Sequence, residues 1–264
     1  MVEQILVSED NFYIPDANKL VTEDDTPVDN FASEKQQRLL VSSLYSSLQN
    51  QTFLASANVG IYHIYKQPPI VPDVFLSFDV QVPENWWEKQ NRCYMVWEFG
   101  KSPEVIVEIV SNKIGDELGE KLKTYEQMRA SYYIVYDPNR QLGEKQLHIY
   151  QLVGRRYQET NETWLEQVGL GLTLWEGEFE ARQDSWLRWC YQDGTILPTG
   201  DERAQTAEQR AQNAEQRAQT AEQRAQTAEQ QADAEKRQKQ QALSRAELLA
   251  AKLREMGINP DNLD

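Results

Sequence analysis

Glu108 is the most costly residue in the sequence. It lies inside the run Val105-Ile106-Val107-Glu108-Ile109-Val110, and its neighbours two residues either way, Ile106 and Val110, are apolar. In a strand those three side chains share one face, so the carboxylate is aimed into an apolar layer. A charge buried there must be paired, protonated or bound to a metal. Asp73 poses a milder version of the same problem. It follows Pro72 and precedes Val74-Phe75-Leu76, at the entrance of a strand. A carboxylate at a strand entrance and another inside a strand can converge where neighbouring strands meet. Oxygen ligands of this kind suit Mg²⁺, which keeps several waters and takes few protein ligands. That ion polarises a phosphodiester and lowers the pKa of a bound water. Plainer readings stay open: Asp73 as a turn former, and Glu108 as the partner of a Lys or Arg.

The stretch that follows supplies a cation. Leu118, Leu122, Tyr125 and Arg129 cluster on one side at α-helical spacing. At that winding Lys121 lies about 60° from Leu118, on the border of the face. Its stem can run along the core and leave the ammonium near the sheet edge. Lys123 points nearly the other way, towards solvent. The alternative for Lys121 is an ordinary pairing with Glu117, four residues earlier.

The elements that position these groups read as an α/β domain. Ser33 serves as N-cap for a helix from Glu34 to about Leu48, with Leu39, Leu40, Leu44 and Leu48 on its apolar face. Residues 21–33 before it read as an acidic loop. Extended segments are expected over Phe53–Tyr65, Val71–Val80 and Cys93–Phe99, with a loop over Val82–Asn91. Val105–Val110 is apolar on both faces, which marks a central strand covered on each side. A helix over Gly115–Ala130 and a buried strand over Tyr132–Tyr136 complete a parallel crossover. Lys145–Leu152, Gly171–Trp175 and Trp186–Tyr191 follow as strands, the last after an acidic loop.

The composition changes near residue 200. Residues 1–200 hold 17 Lys+Arg and 30 Asp+Glu, a net of −13, and all seven tryptophans. Residues 201–264 hold 10 and 12, a net of −2, and no aromatic residue. The first segment can bury a core and the second cannot build one alone. The second segment repeats every seven residues, with alanine at a and d from Ala204 to Ala232. Glu208, Glu215, Glu222 and Glu229 fall at e, and Arg203, Arg210, Arg217 and Arg224 at g. A long helix is expected. In a parallel pair Arg210 meets Glu215 across the seam, whereas an antiparallel pair sets like charges together. A parallel homodimer through this tail is one reading, and a solvated single helix is the other. Leu243, Ala246, Leu249, Ala250, Leu253 and Met256 form a more apolar stripe near its end, before Gly257 and Pro260. No apolar run is long enough to span a membrane, no secretory signal opens the chain, and Cys93 and Cys190 make no disulfide framework or zinc site. A cytoplasmic protein is expected.

Pro72-Asp73-Val74, Val107-Glu108-Ile109-Val110-Ser111, Gly119-Glu120-Lys121-Leu122 with Tyr125, and Tyr132-Tyr133-Ile134-Val135-Tyr136-Asp137-Pro138 occur in that order. With the closing Leu187-Arg188-Trp189 and Leu197-Pro198, the chain over roughly 15–195 resembles a family of restriction endonucleases long described as a domain of unknown function. That family is abundant in cyanobacteria and belongs to the PD-(D/E)XK nuclease superfamily. The resemblance implies a restriction-endonuclease-like α/β core over 1–200, with a mixed central sheet flanked by helices, and a helical heptad-repeat tail over 201–264. It implies Asp73 and Glu108 as ligands of Mg²⁺, with Mn²⁺ as a substitute, and the Ile109 carbonyl as a third ligand. It also implies Glu34 as the counterpart of an acidic residue on the first helix. The superfamily's usual lysine, two residues after the glutamate, is here Val110. Lys121 is the matching replacement, and Lys113 is its rival.

The expected activity is therefore metal-dependent hydrolysis of DNA phosphodiester bonds. The acidic balance argues against strong duplex binding, since affinity for phosphates depends on Lys and Arg. Weak, non-specific or structure-specific DNA binding is expected at best, and no helix-turn-helix or zinc-finger signature suggests sequence reading. The rival reading is a degenerate nuclease fold acting as a coiled-coil binding or oligomerisation protein. A Mg²⁺-dependent hydrolase of another phosphodiester is a third.

Overall fold

The computed structural model describes residues 30–111 and 116–257. Lys113, Pro260 and residues 21–29 of the expected loop lie outside them. The chain divides into two compact units, 1–202 and 203–264.

The first unit is a mixed α/β fold. Helix α1 (Phe31–Ser47) precedes strands β1 (Phe53–Ala57), β2 (Ile61–Tyr62) and β3 (Val74–Phe78). Strand β4 (Tyr94–Met95) runs into a single turn, α2 (Val96–Phe99), where an unbroken strand was expected. Central strand β5 (Val105–Ile109), helix α3 (Leu122–Met128) and strand β6 (Tyr132–Tyr136) form the expected parallel crossover. Strands β7 (Leu147–Val153), β8 (Arg156–Thr160), β9 (Trp164–Leu165), β10 (Leu170–Phe179) and β11 (Arg182–Cys190) complete the unit. The main sheet has six strands in the order β1-β3-β5-β6-β7-β8, and only β5 and β6 run parallel within it. A second sheet has the order β11-β10-β9, and β2 pairs with β4.

Two apolar layers cover the main sheet. Val74, Leu76, Val105, Val107 and Ile109 pack with Leu40 and Leu44 of α1 and with Leu172, Leu187 and Trp189 of the second sheet. Phe75, Ile106, Val110, Tyr133 and Val135 pack with Tyr125 and Met128 of α3. Strand β5 is thus covered on both faces, as a run apolar at every position but Glu108 requires.

Three local readings are corrected. The N-cap of α1 is Asn30, whose side chain accepts from the N–H groups of Ala32 (2.9 Å) and Ser33 (3.0 Å); Ser33 lies inside the helix. Both residues are good caps, and the helix begins at the earlier one. The acidic stretch before Trp186 is a β-hairpin, with β10 and β11 paired from Gly171–Cys190 to Phe179–Arg182. Its two-residue turn, Glu180-Ala181, has positive φ at both positions, which matches strand twist. Glu176 and Glu178 alternate outward, so acidity there marks an exposed face and not a loop. The segment before α3 is wound as a π-helical turn (Glu117–Lys121), which leaves Leu118 exposed and off the apolar face.

The second unit is carried by helix α4 (Gly200–Glu255), 56 residues long with no buried residue. Among the described residues no helix is long and apolar enough to cross a membrane.

Candidate active site

The register of β3 on β5 brings the two carboxylates together. Val74 lies opposite Val107 and Phe75 opposite Ile106 in an antiparallel pair. One step further along the same register sets Asp73 against Glu108, on the sheet face that carries Phe75 and Ile106. Asp73 is 7% exposed and Glu108 1%. Strand β3 begins at Val74, so Asp73 stands at its entrance, where its carbonyl accepts from the Asn58 N–H at 3.3 Å and its carboxylate turns onto the neighbouring backbone of β5. Its Oδ2 accepts from the Ile109 N–H at 2.6 Å, and its Oδ1 accepts from Gln37 Nε2 of α1 at 2.6 Å. The Gln37 carbonyl in turn accepts from Asn58 Nδ2 at 2.8 Å. The N–H and C=O of one strand residue point to the same side, so the Ile109 carbonyl faces the side on which Asp73 sits.

Glu108 is held from the crossover. Its Oε2 accepts from Lys121 Nζ at 2.9 Å and its Oε1 from the Tyr125 hydroxyl at 2.5 Å. Lys121 and Tyr125 are four residues apart, so one side of the π turn and α3 supplies both donors. Burial pushes the Glu108 carboxyl up to about 8; Lys121 opposes this, the Asp73 carboxylate adds to it, and the Tyr125 hydroxyl opposes it. Burial pulls the Lys121 ammonium down, but Glu108 outweighs that, with Glu117 and Asp73 adding, and holds it above its ordinary value. Burial and the neighbouring Glu108 raise the Tyr125 phenol well above its ordinary value, so it stays a donor.

Glu117 completes the surroundings of Lys121. It is 4% exposed; its Oε1 lies 3.7 Å from Lys121 Nζ, and its Oε2 is buried without a hydrogen-bond partner. The pairing that the sequence offered as an alternative to Glu108 is therefore present as well, at longer range. Tyr133 fixes the turn by donating its hydroxyl to the Glu117 carbonyl at 2.9 Å.

Asp73, Glu108, Ile109 and Lys121 thus meet, whereas Glu34 is not brought to them. Glu34 is exposed in the first turn of α1 and accepts from Arg38 at 2.8 Å. The α1 residue that reaches Asp73 is Gln37, three positions on and about 60° round the helix. A search for acidic residues passes over Gln37 because it is neutral. Its only signal is its place one turn before Leu40 and Leu44 on the buried side. Tyr125 was placed on the apolar face and not beside Glu108; its spacing of four residues from Lys121 is the signal that could have found it.

The cluster fits a divalent cation. Among the described residues, the buried carboxylates of Asp73, Glu108 and Glu117 gather around the Lys121 ammonium. Each oxygen of Glu108 accepts one hydrogen bond and keeps a lone pair for a cation. Among the described residues no three His, Cys, Asp or Glu side chains gather closely enough to hold a metal alone. Two carboxylates, a carbonyl and waters are therefore the set on offer, which is the kind Mg²⁺ takes.

A family model described as "Uma2: Putative restriction endonuclease" matches residues 21–175. Among solved structures, the chain is similar to a putative nuclease of DUF820 from Anabaena variabilis ATCC 29413. The two are 15% identical, the match covers 52% of this chain and 72% of that one, and the TM-score is 0.37. No curated protein matches the chain.

Proposed function

The chain belongs to the Uma2 family of putative restriction endonucleases, and from that premise we propose that it is a Mg²⁺-dependent endonuclease hydrolysing DNA phosphodiester bonds. The observation that carries the reading is the juxtaposition of Asp73 and Glu108, both buried, on one face of the sheet beside Lys121. Asp73, Glu108 and the Ile109 carbonyl would hold the ion, and Mn²⁺ could replace it. When bound, the ion would supply Lewis acidity and a more acidic water. The protein's own groups do the rest. Gln37 and the Ile109 N–H lock the Asp73 carboxylate in one orientation. Tyr125 holds one oxygen of Glu108, so the other stays directed at Lys121. The Lys121 ammonium orients the attacking water or neutralises charge developing on the phosphoryl oxygens. Glu34 has no part in this account. The protein is taken to act in the cytoplasm, as a homodimer joined by a parallel coiled coil of its tail.

The test is nicking of supercoiled plasmid with Mg²⁺ or Mn²⁺, with EDTA, and beside Asp73→Asn. Metal-dependent nicking that falls at least a hundredfold in the variant is expected, with the melting temperature close to wild type. Nicking that survives the substitution, or none with either metal, overturns the reading.

A further inference from the structure

Trp86 and Trp87 are the least explained side chains in the first unit. They are 56% and 77% exposed, on the loop between β3 and β4, and their rings meet edge to face with centroids 5.8 Å apart. They line a cavity of about 710 Å³ whose inner wall includes Phe75 and Tyr94. Burial of such rings is strongly favourable, so two neighbouring tryptophans left in water mark a binding surface.

The part of its lining formed by Leu54, Phe75 and Tyr94 belongs to the sheet face that carries the carboxylates. Phe75 pairs with Ile106, and Glu108 is two residues beyond Ile106 on the same face. That separation is about 7 Å along the strand. Stacked nucleotides advance about 3.4 Å each. Bases two or three positions from a phosphate at Glu108 therefore come level with the cavity wall.

Three features choose the occupant. From Asn85 to Arg92 the two adjacent tryptophans are flanked by the amides of Asn85, Gln90 and Asn91 and by Glu88, Lys89 and Arg92, with the Gln90 amide donating to Glu88 at 3.0 Å. Aromatic faces beside amide donors and acceptors suit the faces and edges of nucleobases. The loop is also held in shape: Asn91 Nδ2 donates to the Asn85 carbonyl at 2.9 Å, and Arg92 Nε to the Trp87 carbonyl at 2.9 Å. Finally, the first 200 residues carry a net charge of −13. Duplex binding draws on many phosphate contacts by Lys and Arg, whereas stacking on tryptophan does not depend on net charge.

We propose that Trp86 and Trp87, with the cavity they line, form a stacking subsite for unpaired nucleobases, so that the substrate is single-stranded or locally opened DNA. This rests on the nuclease reading and names the substrate class of that site.

The test is fluorescence anisotropy of a labelled 15-nucleotide single strand and of the matching duplex in EDTA, where the nuclease reading predicts no cleavage. Wild type, Trp86→Ala/Trp87→Ala and Trp86→Phe/Trp87→Phe are compared. The single strand is expected to bind at least tenfold more tightly than the duplex. The double alanine variant should lose at least tenfold of that affinity, and the double phenylalanine variant should recover part of it. All three should melt alike, since both side chains are exposed. Equal binding by wild type and the alanine variant overturns the subsite, as does equal affinity for duplex. A changed sedimentation mass in the alanine variant, with unchanged DNA affinity, overturns it in favour of an interface between copies. Plasmid nicking by the same preparations separates the two readings. Tryptophan-dependent binding without nicking in any metal leaves the subsite and removes the nuclease. Nicking with tryptophan-independent binding does the reverse.

Discussion

Lys121 reaches Glu108 through a turn wound more loosely than an α-helix. The Lys121 N–H bonds the Asp116 carbonyl five residues back, and Tyr133 pins the turn at Glu117. π turns of this sort concentrate at functional sites, since they re-aim one side chain without breaking the helix. Gly119 permits the winding. A Cβ there would lie 2.2 Å from Oδ1 of Asp116 and 2.5 Å from its Oδ2. The Asp116 carboxylate accepts from the Glu120 N–H at 2.8 Å, so it caps the turn and is not idle. Gly119→Ala must displace that carboxylate and lose the cap. The expected cost is roughly 1 kcal/mol of stability, read from urea unfolding, with a drop of tenfold or more in metal-dependent nicking because Lys121 moves. An alanine variant with wild-type stability and nicking would show that the turn can relax freely. At this scale the sequence was legible where charge and apolarity clash. Glu108 stood out because its neighbours are β-branched, and Lys121 because helical phase put it beside the apolar face. The phase was computed for an α-helix, which is why Leu118 was placed in the core and is exposed. Gln37 left no mark, because a neutral amide beside leucines costs little to read as surface.

Elements were legible where one burial pattern excludes another. A run apolar on both faces can only be a covered strand, and β5 with β6 follows from it. Where the pattern is compatible with two structures the reading failed, as in the β10–β11 hairpin, whose outward glutamates look like a solvated loop. The junction of β11 with α4 carries chemistry that was not legible at all. Arg188 was read only as part of a closing Leu-Arg-Trp stretch. It is 1% exposed, and its NH1 and NH2 donate to Glu202 Oε1 and Oε2 at 3.0 and 2.7 Å. Its guanidinium also stacks over Trp175. Glu202 accepts from the Thr199 N–H at 2.7 Å while Thr199 Oγ1 accepts from the Glu202 N–H, the reciprocal box that starts a helix. Partial burial raises the Glu202 carboxyl, but Arg188 and the Thr199 N–H outweigh it and hold it below its ordinary 4.5. A carboxyl lowered in the folded state stabilises the fold above its unfolded pKa. That contribution is lost as pH falls through the folded value. Glu202→Gln should therefore cost roughly 1–2 kcal/mol at pH 7, a figure kept low because Glu202 is 38% exposed. The gap to wild type should shrink as pH drops below about 4.5. Urea unfolding at pH 7 and pH 3.5 measures it, and a gap that does not change with pH would assign the loss to packing.

For the whole molecule the tail sets the remaining question, because α4 buries nothing. A helix of this length rich in Ala, Gln, Glu and Arg stands on its own propensity, yet it leaves Leu243, Leu249 and Met256 of its apolar stripe 60%, 54% and 74% exposed. Apolar side chains at helical spacing near the end of an otherwise polar rod are best covered by a second copy of the same rod. In such a pair alanine at a and d would bring little area, so the heptads would add register more than affinity, and the leucine stripe would supply the apolar contact. Charge then decides direction: arginine at g faces glutamate at e in the next heptad only when the chains run parallel. The protein should sediment as a dimer at tens of micromolar in low salt, and shift towards one chain as salt screens the flanking pairs. Exchanging Arg203, Arg210, Arg217 and Arg224 for glutamate sets glutamate against glutamate along the seam and should yield a monomer at the same concentration. Mixing that variant with one carrying lysine at Glu208, Glu215, Glu222 and Glu229 sets an all-acidic flank against an all-basic one, which attract in either direction, so a restored dimer shows that the e and g charges hold the pair. A wild-type mass of one chain under these conditions would leave the tail a solvated single helix.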